Sequence, residues 1–305
     1  MSGDVIVILG TGGTIAGTAV DPNDNVGYTA GQLSVATLVG AVPALAGVPL
    51  ECEQVAQVDS KDMSFAVWQA LARHAAHHLA RDEVRGLVVT HGTDTLEETA
   101  YFLQRVLAPS KPVVITAAMR PATALLADGP QNLLDAVTVS REPGARGVVV
   151  AAAGWVFDAV GVRKRHSYRI DAFSAGDAGP IAAIEEGRLR RFRAWPEGVA
   201  LGLERIDLEP SAWPRVEIVL NHVNADGRIV EALCAQGVNG LVVAGTGNGT
   251  LSQGLAAALD RAESAGVQVH RTTRCDTGPV IGGAHASGLS PVQSRVELIL
   301  SLLVG

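Results

Sequence analysis

Residues 86–106 read GLVVTHGTDTLEETAYFLQRV. Gly86–Thr90 is a short valine-rich run without polar alternation, the pattern of a strand covered on both faces. Leu96–Val106 is a helical stretch whose first turn carries Glu97 and Glu98, where acidic side chains suit the positive end of the helix dipole. Between them lies a Gly-Thr-Asp-Thr turn. Strand, glycine turn and helix recur outward in both directions. Further buried-strand runs are Val5–Leu9, Pro112–Ala117, Gly147–Ala152, Val216–Leu220, Leu241–Ala244 and Val267–His270. Helical stretches are Leu33–Ala41, Phe65–Leu79, Gln131–Ser140, Ile229–Cys234, Ser252–Ala262 and Val292–Leu303. In Phe65–Leu79 the spacing places Phe65, Gln69, Ala72 and Ala76 near one face. The alternation predicts an α/β fold with a mainly parallel sheet.

The region from Gly187 to Pro214 interrupts this pattern with charges, prolines and tryptophans. It divides the chain into a larger N-terminal domain (1–190), a linker (191–212) and a smaller α/β C-terminal domain (213–305).

Composition removes several functions. The chain has 305 residues, 24 Lys plus Arg against 31 Asp plus Glu, 48% hydrophobic and 4% aromatic residues. An acidic balance with scarce aromatics gives no basic stripe and no stacking platform for nucleic acid. The cysteines, Cys52, Cys234 and Cys275, are odd in number and form no CxxC pair, which excludes a dense disulfide framework and a Cys-rich zinc site. No run of 18 apolar residues occurs, so no spanning helix is expected. MSGDVIVILG has no basic n-region, so no signal peptide and a cytoplasmic location are expected.

In open parallel sheets ligands collect at the carboxyl ends of strands. After Val5–Leu9 comes Gly10-Thr-Gly-Gly-Thr14-Ile-Ala-Gly17. It lacks the third glycine of GxGxxG and the lysine of a P-loop, so it is no nucleotide fingerprint. It is either a plain βα turn or a site presenting Thr11 and Thr14. In the turn after Gly86–Thr90, Thr93 and Asp94 are either helix caps or a nucleophile beside an orienting carboxylate. A threonine hydroxyl needs a base or a cation to become a good nucleophile. Asp94, Tyr28 and Lys164 are available, although Lys164 in Val162-Arg-Lys-Arg-His166 reads by itself as a solvated basic patch. His74 and His78, four apart, read as ordinary helix-face residues rather than metal ligands, and no metal site is expected. His91 is either a base or a structural turn residue. Asn248 in Gly245-Thr-Gly-Asn-Gly249 is either a left-handed turn residue or a ligand contact. No GxSxG elbow and no HExxH occur.

Taken together, these segments resemble the bacterial-type L-asparaginases. Thr11-Gly-Gly-Thr-Ile-Ala-Gly17 is similar to the family's first signature. His91-Gly-Thr-Asp-Thr-Leu-Glu-Glu-Thr-Ala-Tyr-Phe102 is similar to its second. Ala118-Met-Arg-Pro121, Ala127-Asp-Gly-Pro130 and Gly245–Gly249 follow in the family's order. The resemblance implies hydrolysis of a small amino-acid amide, L-asparagine with side activity on glutamine or D-asparagine, without a cofactor. It implies Thr14 as nucleophile and Tyr28 as the tyrosine of the loop that closes over it. It implies a second set of Thr93, Asp94 and Lys164. Ser60, with Lys61 beside it, and Asp94 would hold the substrate's charged groups, Ala118 would offer a backbone contact to the scissile amide, and Asn248 would reach a neighbouring subunit. A homo-oligomer, dimer or tetramer, with sites at subunit interfaces follows from that last role.

Two departures accompany the resemblance. Lys61 stands where many members have a neutral polar residue. The region Cys275–His285 is short and lacks the glutamate that orients the loop tyrosine, so Tyr28 is expected to have another orienting group or weaker affinity. Two other classes are disfavoured. A transamidation subunit would need a further N-terminal domain, whereas the first strand is expected at Val5. A non-catalytic binding protein would not need both threonines, Asp94 and Lys164.

Overall fold

A computed structural model describes residues 3–282 and 286–303. The chain divides into two compact units, Met1–Leu203 and Glu204–Gly305. The first opens with β1 (Val5–Gly12), α1 (Val35–Gly40), β2 (Leu50–Val58), α2 (Phe65–Leu79), β3 (Val84–Thr90) and α3 (Leu96–Leu107). It continues with β4 (Pro112–Thr116), α4 (Gly129–Arg141), β5 (Gly147–Ala152) and β6 (Trp155–Asp158). It ends with β7 (Arg163–Lys164), β8 (Phe173–Ser174), β9 (Ala182–Glu185) and β10 (Arg188–Arg191). Eight of these strands form one sheet in the order β10-β9-β6-β5-β4-β3-β1-β2, and β7 pairs β8 separately.

The strands β2, β1, β3, β4 and β5 run parallel. Beyond β5 the sheet turns antiparallel through β6, β9 and β10. Ile6 and Ile8 of β1, Val88 of β3, Val114 of β4 and Val149 of β5 join Val35 and Leu38 of α1 and Leu133, Ala136 and Val137 of α4 in one apolar cluster. Strand alternation sends Val7, Leu87, Val89 and Ile115 to the opposite face, where α2 and α3 pack. Coverage on both faces is why these runs carry no polar alternation.

The inward face of α2 is Trp68, Leu71, Ala72, Ala75 and His78, with Gln69 also buried. Phe65 and Ala76, expected on that face, are only half-buried. The Trp68 ring sets the contact by stacking on Phe102 of α3, centroids 4.8 Å apart. Arg188–Arg191, read as part of an interruption, is instead the outermost strand β10, paired with β9. Arg190 reaches Glu185 at 2.5 Å, so the exposed edge is lined by charge, which guards it against further strand pairing.

The second unit contains β11 (Val216–Leu220), α5 (Arg228–Ala235), β12 (Gly240–Gly245), α6 (Gln253–Ser264), β13 (Gln268–Thr273) and α7 (Pro291–Leu302). Its three strands are parallel in the order β11-β12-β13. Val219, Leu241, Val243 and Val269 pack against Val230 of α5 and Leu255 and Leu259 of α6.

Candidate active site

β1 and β3 are parallel neighbours, with Leu9 opposite Val89 and Gly10 opposite Thr90. The turns that leave them therefore emerge side by side. Their backbones touch: a Cβ on Gly13 would lie 2.3 Å from the Gly92 nitrogen, and Gly13 has φ of +81°. A Cβ on Gly92 would lie 2.5 Å from Ser60 Oγ. Only glycine fits at these two positions, and their closeness brings the ends of β1, β3 and β2 onto one spot.

Thr14 opens a short 3₁₀ turn and is buried. Its Oγ1 lies 2.6 Å from Tyr28 Oη. The segment carrying Tyr28 is closed by reciprocal backbone bonds, Thr18 N–H to Thr29 O at 3.0 Å and Thr29 N–H to Thr18 O at 2.9 Å. Gly31 N–H to Gly13 O at 3.1 Å and Gln32 N–H to Ala16 O at 2.7 Å tie its exit to the Thr14 turn. Within it, the Asp24 carboxylate accepts from the backbone N–H groups of Gly27 at 2.7 Å and Val26 at 2.9 Å. These bonds hold its pKa below the usual carboxylate value. The orienting partner of Tyr28 in this structure is thus Thr14 itself. Of the Cys275–His285 region expected to bear on Tyr28, residues 283–285 lie outside the described residues.

Lys164 joins the second turn across 70 residues of sequence. Its Nζ donates to Thr93 Oγ1 at 2.8 Å and to Asp94 Oδ1 at 2.5 Å. Ser60 Oγ accepts from the Asp94 backbone N–H at 3.1 Å, and Thr95 Oγ1 donates to Ser60 O at 2.8 Å. Lys61 forms an ion pair with Asp59 at 2.5 Å and is largely exposed. Asp59, and less strongly Tyr28, raise its pKa. Ala118 is buried just beyond β4.

Several residues that sequence reading left without a role fasten this machinery. The Asp128 carboxylate accepts from the backbone N–H groups of Met119 and Arg120, both at 3.0 Å. Asn132 Nδ2 donates to Ala117 O at 2.9 Å, and its Oδ1 accepts from Ala153 N–H at 3.0 Å. Glu97 Oε2 accepts from the backbone N–H of Lys164 at 3.2 Å. Burial raises the Asp128 pKa and pushes that of Glu97 up to about 7. The signal for Asp128 is its place in Ala127-Asp-Gly-Pro130, a proline-bearing helix entry. Nothing in the sequence separates Glu97 from an ordinary first-turn glutamate.

His91 is fully buried, and burial drives its pKa down to about 4, so the ring is neutral. Its Nδ1 faces Gly92 O at 2.7 Å and must donate. Its Nε2, 2.9 Å from Thr99 Oγ1, must then accept, and Thr99 Oγ1 in turn receives Trp68 Nε1–H at 2.9 Å. His91 is therefore a brace for the turn. His74 and His78 both contact Glu53 of β2, at 2.8 Å and 2.6 Å. Among the described residues no group of three or more His, Cys, Asp or Glu could hold a metal ion, and no helix is long and apolar enough to cross a membrane.

In the second unit, Asn248 engages a loop of its own chain. Its Nδ2 donates to Ile281 O at 2.9 Å, and its Oδ1 accepts from Ile281 N–H at 2.7 Å. An amide side chain that matches a peptide edge on both atoms clamps a loop. A cavity of about 800 Å³ in the first unit is lined by Leu126, Asp128, Gln131, Asp135, Ile170 and Glu186 among others, but by none of Thr14, Thr93 or Lys164.

These features describe an α/β protein with two hydroxyl-bearing turns at adjacent strand ends. A family model for "Asparaginase, N-terminal" matches residues 5–196, and one for "Glutaminase/Asparaginase C-terminal domain" matches residues 215–302. The chain belongs to the asparaginase family. It is 37% identical over 311 residues to L-asparaginase 2 of Escherichia coli (strain K12), covering 97% of this chain and 88% of that protein. It is 34% identical over 276 residues to the glutaminase-asparaginase of Pseudomonas fluorescens biotype A, covering 90% and 76%. The crystal structure of a probable cytoplasmic L-asparaginase from Campylobacter jejuni superposes with a TM-score of 0.92 at 35% identity, covering 98% of this chain and 95% of that one.

Proposed function

We propose that this chain hydrolyses the side-chain amide of L-asparagine to L-aspartate and ammonia, with minor activity on glutamine. Family membership supports the reaction. The observation that carries the site is the pairing of Thr14 with Tyr28 at 2.6 Å beside Thr93 with Lys164 at 2.8 Å. In this reading Thr14 Oγ1 attacks the amide carbon and its proton passes toward Tyr28 Oη. The tetrahedral oxyanion is stabilised by backbone N–H donors of the strand-end turns, roughly 3–4 kcal/mol per donor in comparable sites. As the C–N bond breaks, the amide nitrogen takes up the proton that Thr14 released through Tyr28 Oη, so ammonia leaves and an aspartyl ester remains on Thr14. Water then attacks the ester, with Thr93 held by Lys164 and Asp94 for this second half, and Thr14 recovers its proton. Asp94 also takes the substrate's α-ammonium, Ser60 its α-carboxylate, and Ala118 the amide through its backbone.

The same reading makes the protein a cytoplasmic homo-oligomer with sites at subunit interfaces. The three cysteines are unpaired, which fits a reducing compartment. Ammonia release from L-Asn, L-Gln and D-Asn by wild type, Thr14→Val and Thr93→Val tests the whole scheme. No release by wild type at millimolar substrate sinks the enzyme reading, and wild-type rates in both variants sink the site assignment. A monomer with full activity removes the shared site.

A further inference from the structure

Lys164 sits on β7, a strand of two residues paired with β8, Lys164 opposite Phe173. The backbone N–H of Arg165 goes to Ala172 O at 2.7 Å. The backbone N–H of Lys164 goes instead to Glu97. Glu97 lies three residues after Asp94, in the first turn of α3. The segment 93–97 therefore grips the lysine at both ends: Thr93 and Asp94 hold its Nζ, and Glu97 holds its peptide.

A flexible four-carbon stem delivers its ammonium to one place only if its Cα is fixed. The hairpin offers little fixing of its own, since β7 and β8 have two residues each. A glutamate serving only the helix dipole gains nothing from burial. This one is desolvated enough to raise its pKa to about 7, with Glu98 of α3 and Arg163 and Lys164 of β7 as the charged groups around it. We propose that Glu97 is a positioning residue for the reaction, fixing the Lys164 backbone so that Nζ meets Thr93 Oγ1 and Asp94 Oδ1 together. This rests on the reading that Lys164 serves Thr93.

The test is steady-state ammonia release from L-asparagine by Glu97→Ala, Glu97→Gln, Glu97→Asp and Lys164→Ala, each checked for folding by circular dichroism. Displacing a catalytic group by up to an ångström costs on the order of ten- to a hundred-fold in rate. Glu97→Ala is expected to lose kcat in that range while KM stays within about three-fold, the split of a group acting in the transition state. Glu97→Asp, one methylene short, loses kcat likewise and serves if the alanine variant does not fold. Glu97→Gln keeps an acceptor oxygen and restores kcat to within about three-fold. Full kcat in Glu97→Ala and Glu97→Asp, or a glutamine variant as slow as alanine, overturns the inference. An inactive Lys164→Ala beside a fully active Glu97→Ala removes this inference alone. A fully active Lys164→Ala removes the site reading and this inference with it.

Discussion

Replacing Thr99 by valine keeps the shape of a buried side chain and deletes one hydroxyl. That hydroxyl is the hinge of a chain running from Trp68 Nε1 through Thr99 Oγ1 to His91 Nε2, both links 2.9 Å. His91 and Thr99 have 0% exposure and Trp68 4%, so water cannot replace the lost partner. Two groups are orphaned together, an acceptor on His91 and a donor on Trp68. Each buried orphan costs about 1–3 kcal/mol, and the added methyl returns less than one, so Thr99→Val is expected to lose about 2–5 kcal/mol. For a unit of roughly two hundred residues, one kcal/mol moves Tm by about 2–4 °C, which puts the drop near 4–20 °C. Thr138→Val is the control. Its hydroxyl donates only to Leu134 O within α4 at 3.0 Å, a half-buried back-bond whose loss is expected to cost under about 1 kcal/mol. Thermal melts followed by circular dichroism, with urea titrations for ΔG, compare the two. Equal small losses in both variants would refute the claim that Thr99 bridges two otherwise unsatisfied groups.

Tyr28→Phe removes the hydroxyl 2.6 Å from Thr14 Oγ1 and leaves the ring in place. A proton-transfer partner is worth about 10²–10⁴-fold, so kcat for ammonia release is expected to fall in that range, and a loss under ten-fold counts against the role. The pH dependence of stability has two opposed parts. His91 has a folded pKa of about 4, below its unfolded value, so the native state binds fewer protons and stability is lost as pH falls from about 6.5 to 4. Glu97, near 7 when folded, does the reverse: the native state binds more protons, and stability falls as pH rises from about 4.5 to 7. Glu97→Gln is therefore expected to gain stability relative to wild type between pH 5 and pH 8, by up to about 3 kcal/mol in urea titrations; no gain contradicts the buried carboxylate. Asn248→Ala breaks both bonds to Ile281, and limited proteolysis is expected to cut the 274–282 loop faster than in wild type.

The parts of the fold legible in the sequence are those whose surroundings are uniform. β1, β3, β4 and β5 lie between helical layers, so their residues are mostly apolar without polar alternation and announce themselves. β2 was not legible. As the edge strand it reads Leu-Glu-Cys-Glu-Gln-Val-Ala-Gln-Val, and only pairing with β1 makes it a strand. β6, β9 and β10 are four residues each, too short for a periodicity to emerge. The site divides in the same way. Thr14, Thr93 and Asp94 follow buried strands and stand out by position. Lys164 lies on a strand of two residues within a basic run, so residue chemistry alone left it as a solvated charge, and only the resemblance to a family singled it out.

Glu97, Asp128, Asn132 and Ser60 share one physical task. Where a strand ends and the chain turns, backbone N–H and C=O groups leave the ladder and need other partners. Here side chains from neighbouring segments supply them. Ser60 takes the Asp94 N–H, Glu97 the Lys164 N–H, and Asp128 those of Met119 and Arg120. Asn132 takes both Ala117 O and Ala153 N–H. Glu97, Asp128 and Asn132 all lie at or near helix N-termini, which face the carboxyl edge of the sheet in any βα unit. Asp128 thus fastens the loop that leads into its own helix, whereas Glu97 and Asn132 reach backbone beyond later strands, at Lys164 and Ala153. A turn held in this way keeps its geometry without regular structure, and that geometry places a weak nucleophile such as threonine against its partners. It follows that changes at Glu97, Asp128 or Asn132 should alter rate more than binding, although none of the three is assigned a contact with substrate.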